Sequence, residues 1–146
     1  MPAYGSNMNP ERMSERNISF SSRQLAKLFC FRLEFNKVSS RNPNEGYTNI
    51  VPDKNSIIEG AVYEIPGSDL STLDQFEGNP DHYQKIQVTI QLKNFNEVEA
   101  ITYIAHPDKI KVGLKPSKGY IKHLLAGEDI LSKEYYRRLK TVETLD

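Results

Sequence analysis

The chain has 146 residues, with 19 lysines and arginines balanced by 19 aspartates and glutamates. That length suits a single domain spanning 1–146, and the balanced charge excludes the basic excess needed to neutralise a nucleic-acid backbone or an anionic membrane. Hydrophobic residues at 38% and charged residues at 26% describe a chain with core material rather than a disordered one. The lone cysteine, Cys30, excludes an intramolecular disulfide and a multi-thiolate zinc site, and His82, His106 and His123 share no helical ligand spacing. No apolar run approaches the ~18–20 residues that span a bilayer, and no signal pattern opens the chain. These features predict a cytoplasmic protein, without metal or organic cofactor, that binds a small molecule or does chemistry on one.

Taken in chain order, Asn9-Pro10-Glu11 reads as an N-cap, a proline at the first helical position and a carboxylate in the first turn, opening a helix to roughly Arg16. Ala26–Asn36 alternates, with Phe29, Phe31, Leu33 and Phe35 on one face, as a half-buried strand does. Cys30, in the middle of it, reads as a packed or partly buried thiol. Val38–Gly46, with serine, asparagine and proline, reads as a mobile loop. Ile57–Ile65 is a second strand in which Gly60 signals a bulge or a close backbone approach. A helix follows from Ser68, stopped by Gly78. Tyr83–Leu92 alternates most cleanly, and Asn94–Asn96 turns it into Val98–Ala105 as a hairpin. Two more helices run from Ser117 to Ala126 and from Ser132 through Tyr135, Tyr136, Leu139 and Val142. The predicted fold is α+β: a mainly antiparallel sheet or barrel with flanking helices.

Three places carry groups suited to chemistry. Ala3-Tyr4-Gly5-Ser6-Asn7 joins a strand end to a helix start, where main-chain N–H groups lack intrahelical partners and can hold an anion or oxyanion. A single glycine and serine equally make an ordinary turn. Glu77 shares a helix face with Leu70 and Leu73 and lies at the negative end of that helix. Burial and dipole both favour the neutral acid, so its pKa is expected to rise toward that of a general base working near neutrality; a frayed end would leave it in water. Tyr120, after Pro116-Ser117-Lys118-Gly119, and Tyr83 could each present a phenol to a pocket or merely pack a ring.

Tyr4-Gly5-Ser6-Asn7 followed by Met8-Asn9 resembles the opening motif of the gamma-glutamylcyclotransferase family, also described as AIG2-like. Asn49-Ile50-Val51-Pro52, Gly60-Ala61-Val62-Tyr63, Leu73-Asp74-x-x-Glu77-Gly78, Tyr83 with its strand, and Pro116-Ser117-x-x-Tyr120 continue that resemblance in order over nearly the whole chain. It implies a β-barrel-like α+β fold and a reaction that releases 5-oxoproline. It assigns catalysis to Glu77, and substrate binding to Ala3, Tyr4, Gly5, Ser6 and Asn7 with Tyr83 and Tyr120. Members carry more apolar residues before the loop, so either the first strand is short here or the natural chain starts upstream. The residues after Tyr4-Gly5-Ser6 differ from those of the glutathione-specific branch, which points away from glutathione.

The implied substrate is a gamma-glutamyl amide, whose α-amine closes on its own γ-carbonyl. The leaving amine and the oligomeric state stay open at this level. A non-catalytic module that binds gamma-glutamyl or amino-acid-like molecules is the alternative.

Overall fold

A computed structural model describes residues 1–146. Its order is β1 (Pro2–Ala3), a 3-10 turn (Ser6–Met8), α1 (Pro10–Glu15), β2 (Ser22–Val38), β3 (Gly46–Glu64), α2 (Gly67–Glu77), β4 (Tyr83–Leu92), β5 (Glu97–Ala105), a second 3-10 turn (Pro107–Lys109), α3 (Lys118–Leu125) and α4 (Lys133–Lys140). The strands form one antiparallel sheet in the order β1-β3-β2-β4-β5.

Local chemistry sets most of the boundaries. The Asn9 side chain accepts from the Glu11 N–H at the start of α1, and Ser117 and Ser132 do the same for Tyr120 and Tyr135 in α3 and α4. Gly78, at φ 63°, ends α2. Along β4, Val88 and Ile90 are buried while Lys85, Gln87 and Thr89 are exposed, so its period-two pattern is that of a one-sided strand.

The sheet is open, which corrects the barrel. It curls until β5 nears β1 and β3, but side chains rather than a ladder cross the gap. The Tyr4 hydroxyl donates to the Tyr103 carbonyl, Thr102 Oγ1 to the Pro2 carbonyl at 3.3 Å, and the Ala105 N–H to Asn49 Oδ1 at 2.9 Å.

The long strands also differ from their sequence pattern. At Cys30 (φ 68°) the β2–β3 register breaks, Phe29 pairing with Ile57 and Phe31 with Pro52. This bulge shifts the inward face from Ala26 and Leu28 to Phe31, Leu33 and Phe35, and turns Phe29 outward at 43% exposure. Phe29 therefore leaves the face assigned to it, and Cys30 is exposed rather than packed. Gly60 marks a close approach, because a Cβ there would strike the Ala3 carbonyl.

Two apolar clusters follow. One, containing Met8, Met13, Tyr63, Leu73, Leu124, Tyr135 and Leu139, glues the helices to the sheet. The other, with Tyr4, Leu28, Ile50, Ile58, Val88 and Ile90, fills the curl. No helix is long and apolar enough to cross a membrane.

Candidate active site

Where the curled sheet meets α1, the end of α2 and the start of α3, a cleft of about 560 Å³ opens. Ala3, Tyr4, Gly5, Ser6, Asn7, Glu77, Tyr83 and Tyr120 all line it. The fold thus brings together residues that the sequence spreads over more than a hundred positions.

Glu77 reaches the cleft from the last turn of α2, one helical turn past the fully buried Leu73. Its side chain is 18% exposed. Oε1 accepts from Asn7 Nδ2 at 3.1 Å and lies 4.0 Å from Arg16 Nη1. Burial raises the Glu77 pKa above the ordinary carboxylate value, while Arg16, Lys37, the Asn7 hydrogen bond and Arg12 work against that rise. The upward direction expected from the sequence is found, with burial as its cause.

The Gly5–Asn7 turn wraps over the same region. Its own hydrogen bonds run from Met8 N–H to the Gly5 carbonyl and from Asn9 N–H to the Ser6 carbonyl. The N–H groups of Gly5, Ser6 and Asn7 precede that ladder, as at any helix start. Gly5 is sterically required, since a Cβ would collide with the Thr48 side chain and come within 3.0 Å of the Tyr120 hydroxyl. Asn7 is pinned on three sides: its carbonyl accepts from Tyr63 at 2.7 Å, its Oδ1 from Arg16 Nη1 at 2.8 Å, and its Nδ2 serves Glu77.

The tyrosines divide by what their hydroxyls already do. Tyr4 commits its hydroxyl to the Tyr103 carbonyl and its ring to the curl, and Ala3 packs in the helix-facing core. Tyr83 donates to the Thr48 carbonyl at 2.7 Å. Tyr120 lies against Thr48, accepting from its N–H at 3.1 Å and sharing a proton with its Oγ1 at 2.9 Å, and its ring stacks on Tyr47 at 4.9 Å. Burial is the main cause that pushes the Tyr120 phenol up to about 12, so it stays protonated at neutral pH.

Sequence reasoning missed the cations. Arg12, Arg16 and Lys37 line the cleft with His82 and His123. Arg16 also lies over the Phe76 ring, 4.8 Å from its centroid. On α1, at its C-cap and at the end of β2, Arg12, Arg16 and Lys37 read as ordinary polar positions, and only the fold turns them inward. The histidines stay apart, His82 beside Lys37 and His123 beside Asn9. No three His, Cys, Asp or Glu side chains gather in a way that could hold a metal ion.

The profile of the AIG2-like family matches residues 57–139. The chain belongs to this family. It is 29% identical to the gamma-glutamylcyclotransferase of Bos taurus over 151 aligned positions, covering 99% of this chain and 78% of the relative. The Homo sapiens gamma-glutamylcyclotransferase is likewise 29% identical with the same coverage. A solved structure named gamma-glutamyl cyclotransferase superposes with a TM-score of 0.87 at 26% identity, covering 99% of this chain and 88% of that one. Within the AIG2-like family, then, the whole chain follows the pattern of cyclotransferase enzymes, and the profile match spans both Glu77 and Tyr120.

Proposed function

We propose that this AIG2-like protein is a cytoplasmic cyclotransferase that converts a gamma-glutamyl amide into 5-oxoproline and a free amine. The observation that carries the reading is Glu77: a largely buried carboxylate in the cleft, raised in pKa and hydrogen-bonded by Asn7 of the Gly5–Asn7 turn. The similarity to gamma-glutamylcyclotransferases over almost the whole chain supports it.

The cleft holds the substrate folded so that its α-amine lies against its γ-carbonyl, which makes the attack intramolecular. The Glu77 carboxylate takes a proton from the α-ammonium. The freed nitrogen attacks the γ-carbon and closes the five-membered ring. Main-chain N–H groups of Gly5, Ser6 and Asn7 bind the developing oxyanion or the α-carboxylate, and Tyr120, with Tyr83 beside it, orients the substrate. The tetrahedral centre collapses as the bond to the leaving nitrogen breaks: Glu77 returns its proton to that nitrogen, then takes the second proton from the ring nitrogen and passes it to the departing amine.

The test is release of 5-oxoproline from gamma-glutamyl amino acids, gamma-glutamyl amines and glutathione, with wild type and Glu77→Gln side by side. Product from at least one class, lost in the variant, supports reaction and base together. No product from any class with folded protein rejects the cyclotransferase.

A further inference from the structure

Lys37 has no part in the mechanism above, yet its surroundings are unusual for a lysine. The residue is 3% exposed at the end of β2. Its ammonium lies 3.0 Å from His82 Nδ1, and 5.6 Å and 5.4 Å from the ring centroids of Tyr47 and Tyr83. None of the ion pairs within 4.0 Å in the molecule involves it. A buried ammonium without a carboxylate is costly to hold. An ammonium has three N–H donors, and His82 takes one, which leaves two. Burial, Lys37 and Lys109 all lower the His82 pKa, so His82 is a neutral acceptor near pH 7 and fixes the ammonium rather than repelling it.

The charge of the whole cleft leans the same way. Arg12, Arg16, Lys37 and Arg41 line it against only two carboxylates, Glu45 and Glu77, in a chain whose charge is otherwise balanced. The cations come from separate places: Arg12 from α1, Arg16 from the cap that ends it, where it serves Asn7 and Glu77, and Lys37 from β2. A gamma-glutamyl amine brings one carboxylate and one ammonium and is neutral overall. A gamma-glutamyl amino acid brings a second carboxylate, which matches the cationic excess.

We infer that Lys37 is a specificity residue: its ammonium, held by His82 between the rings of Tyr47 and Tyr83, receives a carboxylate on the leaving group. The preferred amide is then one that releases an amino acid rather than a simple amine. This inference rests on the cleft being a gamma-glutamyl amide site.

Gamma-glutamylalanine and gamma-glutamylethylamine differ only by that carboxylate and serve as the probe pair. Their affinities are measured by calorimetry in the Glu77→Gln background, and 5-oxoproline release is followed separately with the Glu77 enzyme. The expected result is binding of the alanine amide about 10- to 100-fold tighter, the range of a charge-assisted hydrogen bond. Lys37→Met brings the two affinities to within about twofold, and Lys37→Arg keeps the preference. Lys37→Met also holds or raises the melting temperature, because it removes an unpaired buried charge. Equal affinity of the parent for the two amides, absence of binding included, overturns the inference. So does an equal loss for both amides in Lys37→Met, which would assign Lys37 to the glutamyl part they share or to the structure alone. Discrimination in binding without 5-oxoproline from either amide upholds the carboxylate site and rejects the reaction.

Discussion

Two glutamates in this molecule leave bulk water, and the fold treats them in opposite ways. Glu59, on β3, is 7% exposed and has both oxygens engaged by one residue: Oε1 accepts from the Ser132 N–H at 2.8 Å and Oε2 from the Ser132 hydroxyl at 2.7 Å. Ser132 in turn caps α4, its Oγ accepting from the Tyr135 N–H at 3.2 Å. Glu77 has one protein hydrogen bond, from Asn7 to Oε1, and its cationic neighbour Arg16 stands off at 4.0 Å. A carboxylate with a donor held on each oxygen ties elements together. One with acceptor capacity to spare, beside a cleft, can exchange a proton. Burial alone does not separate these roles; the count of donors around the carboxylate does.

Substitutions can break that comparison. The largest effect is expected for Glu77→Gln, a loss of roughly 10²–10⁴ in turnover, about 3–5 kcal/mol of barrier, with the fold retained. Steady-state 5-oxoproline release and circular dichroism on the same samples check it. Turnover within a few-fold of wild type would place Glu77 in the same class as Glu59. Glu59→Gln should show the reverse, a stability loss of about 1–3 kcal/mol in urea denaturation with kcat little changed, because one of the two Ser132 donors loses its acceptor. Ser132→Ala removes the cap and one Glu59 partner together and should cost about 1–2 kcal/mol by the same assay. If it proved neutral, the Glu59 clasp would be no more than packing.

Gly5→Ala tests the turn that faces Glu77. The added methyl meets Thr48 and the Tyr120 hydroxyl. Displacing them should cost about 1–3 kcal/mol, read as a lower melting temperature with a raised KM.

The smallest effect is in pH dependence. Because the folded Glu77 pKa is raised above its unfolded value, the folded state holds this proton longer. Its contribution to stability is complete below the ordinary glutamate pKa and is lost as pH rises through the folded value. Wild type should therefore be most stable relative to Glu77→Gln in acid, and the gap should shrink as pH climbs through that window. The acid limb of kcat should lie above the usual carboxylate range. Parallel stability curves for the two proteins would deny the shift.

The legibility of these features in the sequence follows how local their causes are. The β4–β5 hairpin, the ends of α2, α3 and α4 and the Asn9 cap rest on alternation, glycine and side-chain caps within a few residues. Strand β3 runs from Gly46 to Glu64, but only the part from Ile57 onward is readable in the sequence. Pro52 and Asp53-Lys54-Asn55-Ser56 hide the rest: Asp53 accepts from the Asn55 N–H at 3.1 Å and the Ser56 hydroxyl at 2.8 Å, a turn inside a strand. The bulge at Cys30 reversed a face that unbroken alternation had assigned. The sequence leaves a sheet and a barrel both open, because closure depends on how a two-residue strand meets β5, which no local pattern encodes. In the cleft, Glu77 was legible through Leu70 and Leu73, and the Gly5 turn through motif resemblance. Lys37, Arg12 and Arg16 carry no local signal that separates them from solvated cations.

Asn7 gives the cleft a sense of direction. An arginine can only donate, so Arg16 holds the oxygen end of the Asn7 amide and obliges its NH₂ end to face Glu77. The amide therefore has one readable orientation. An aspartate in its place, almost identical in shape, would offer Glu77 an oxygen where it now meets hydrogen, and two negative oxygens would contend for the same proton. In the mechanism proposed for Glu77, swapping that one nitrogen for oxygen would turn a proton relay into a proton trap.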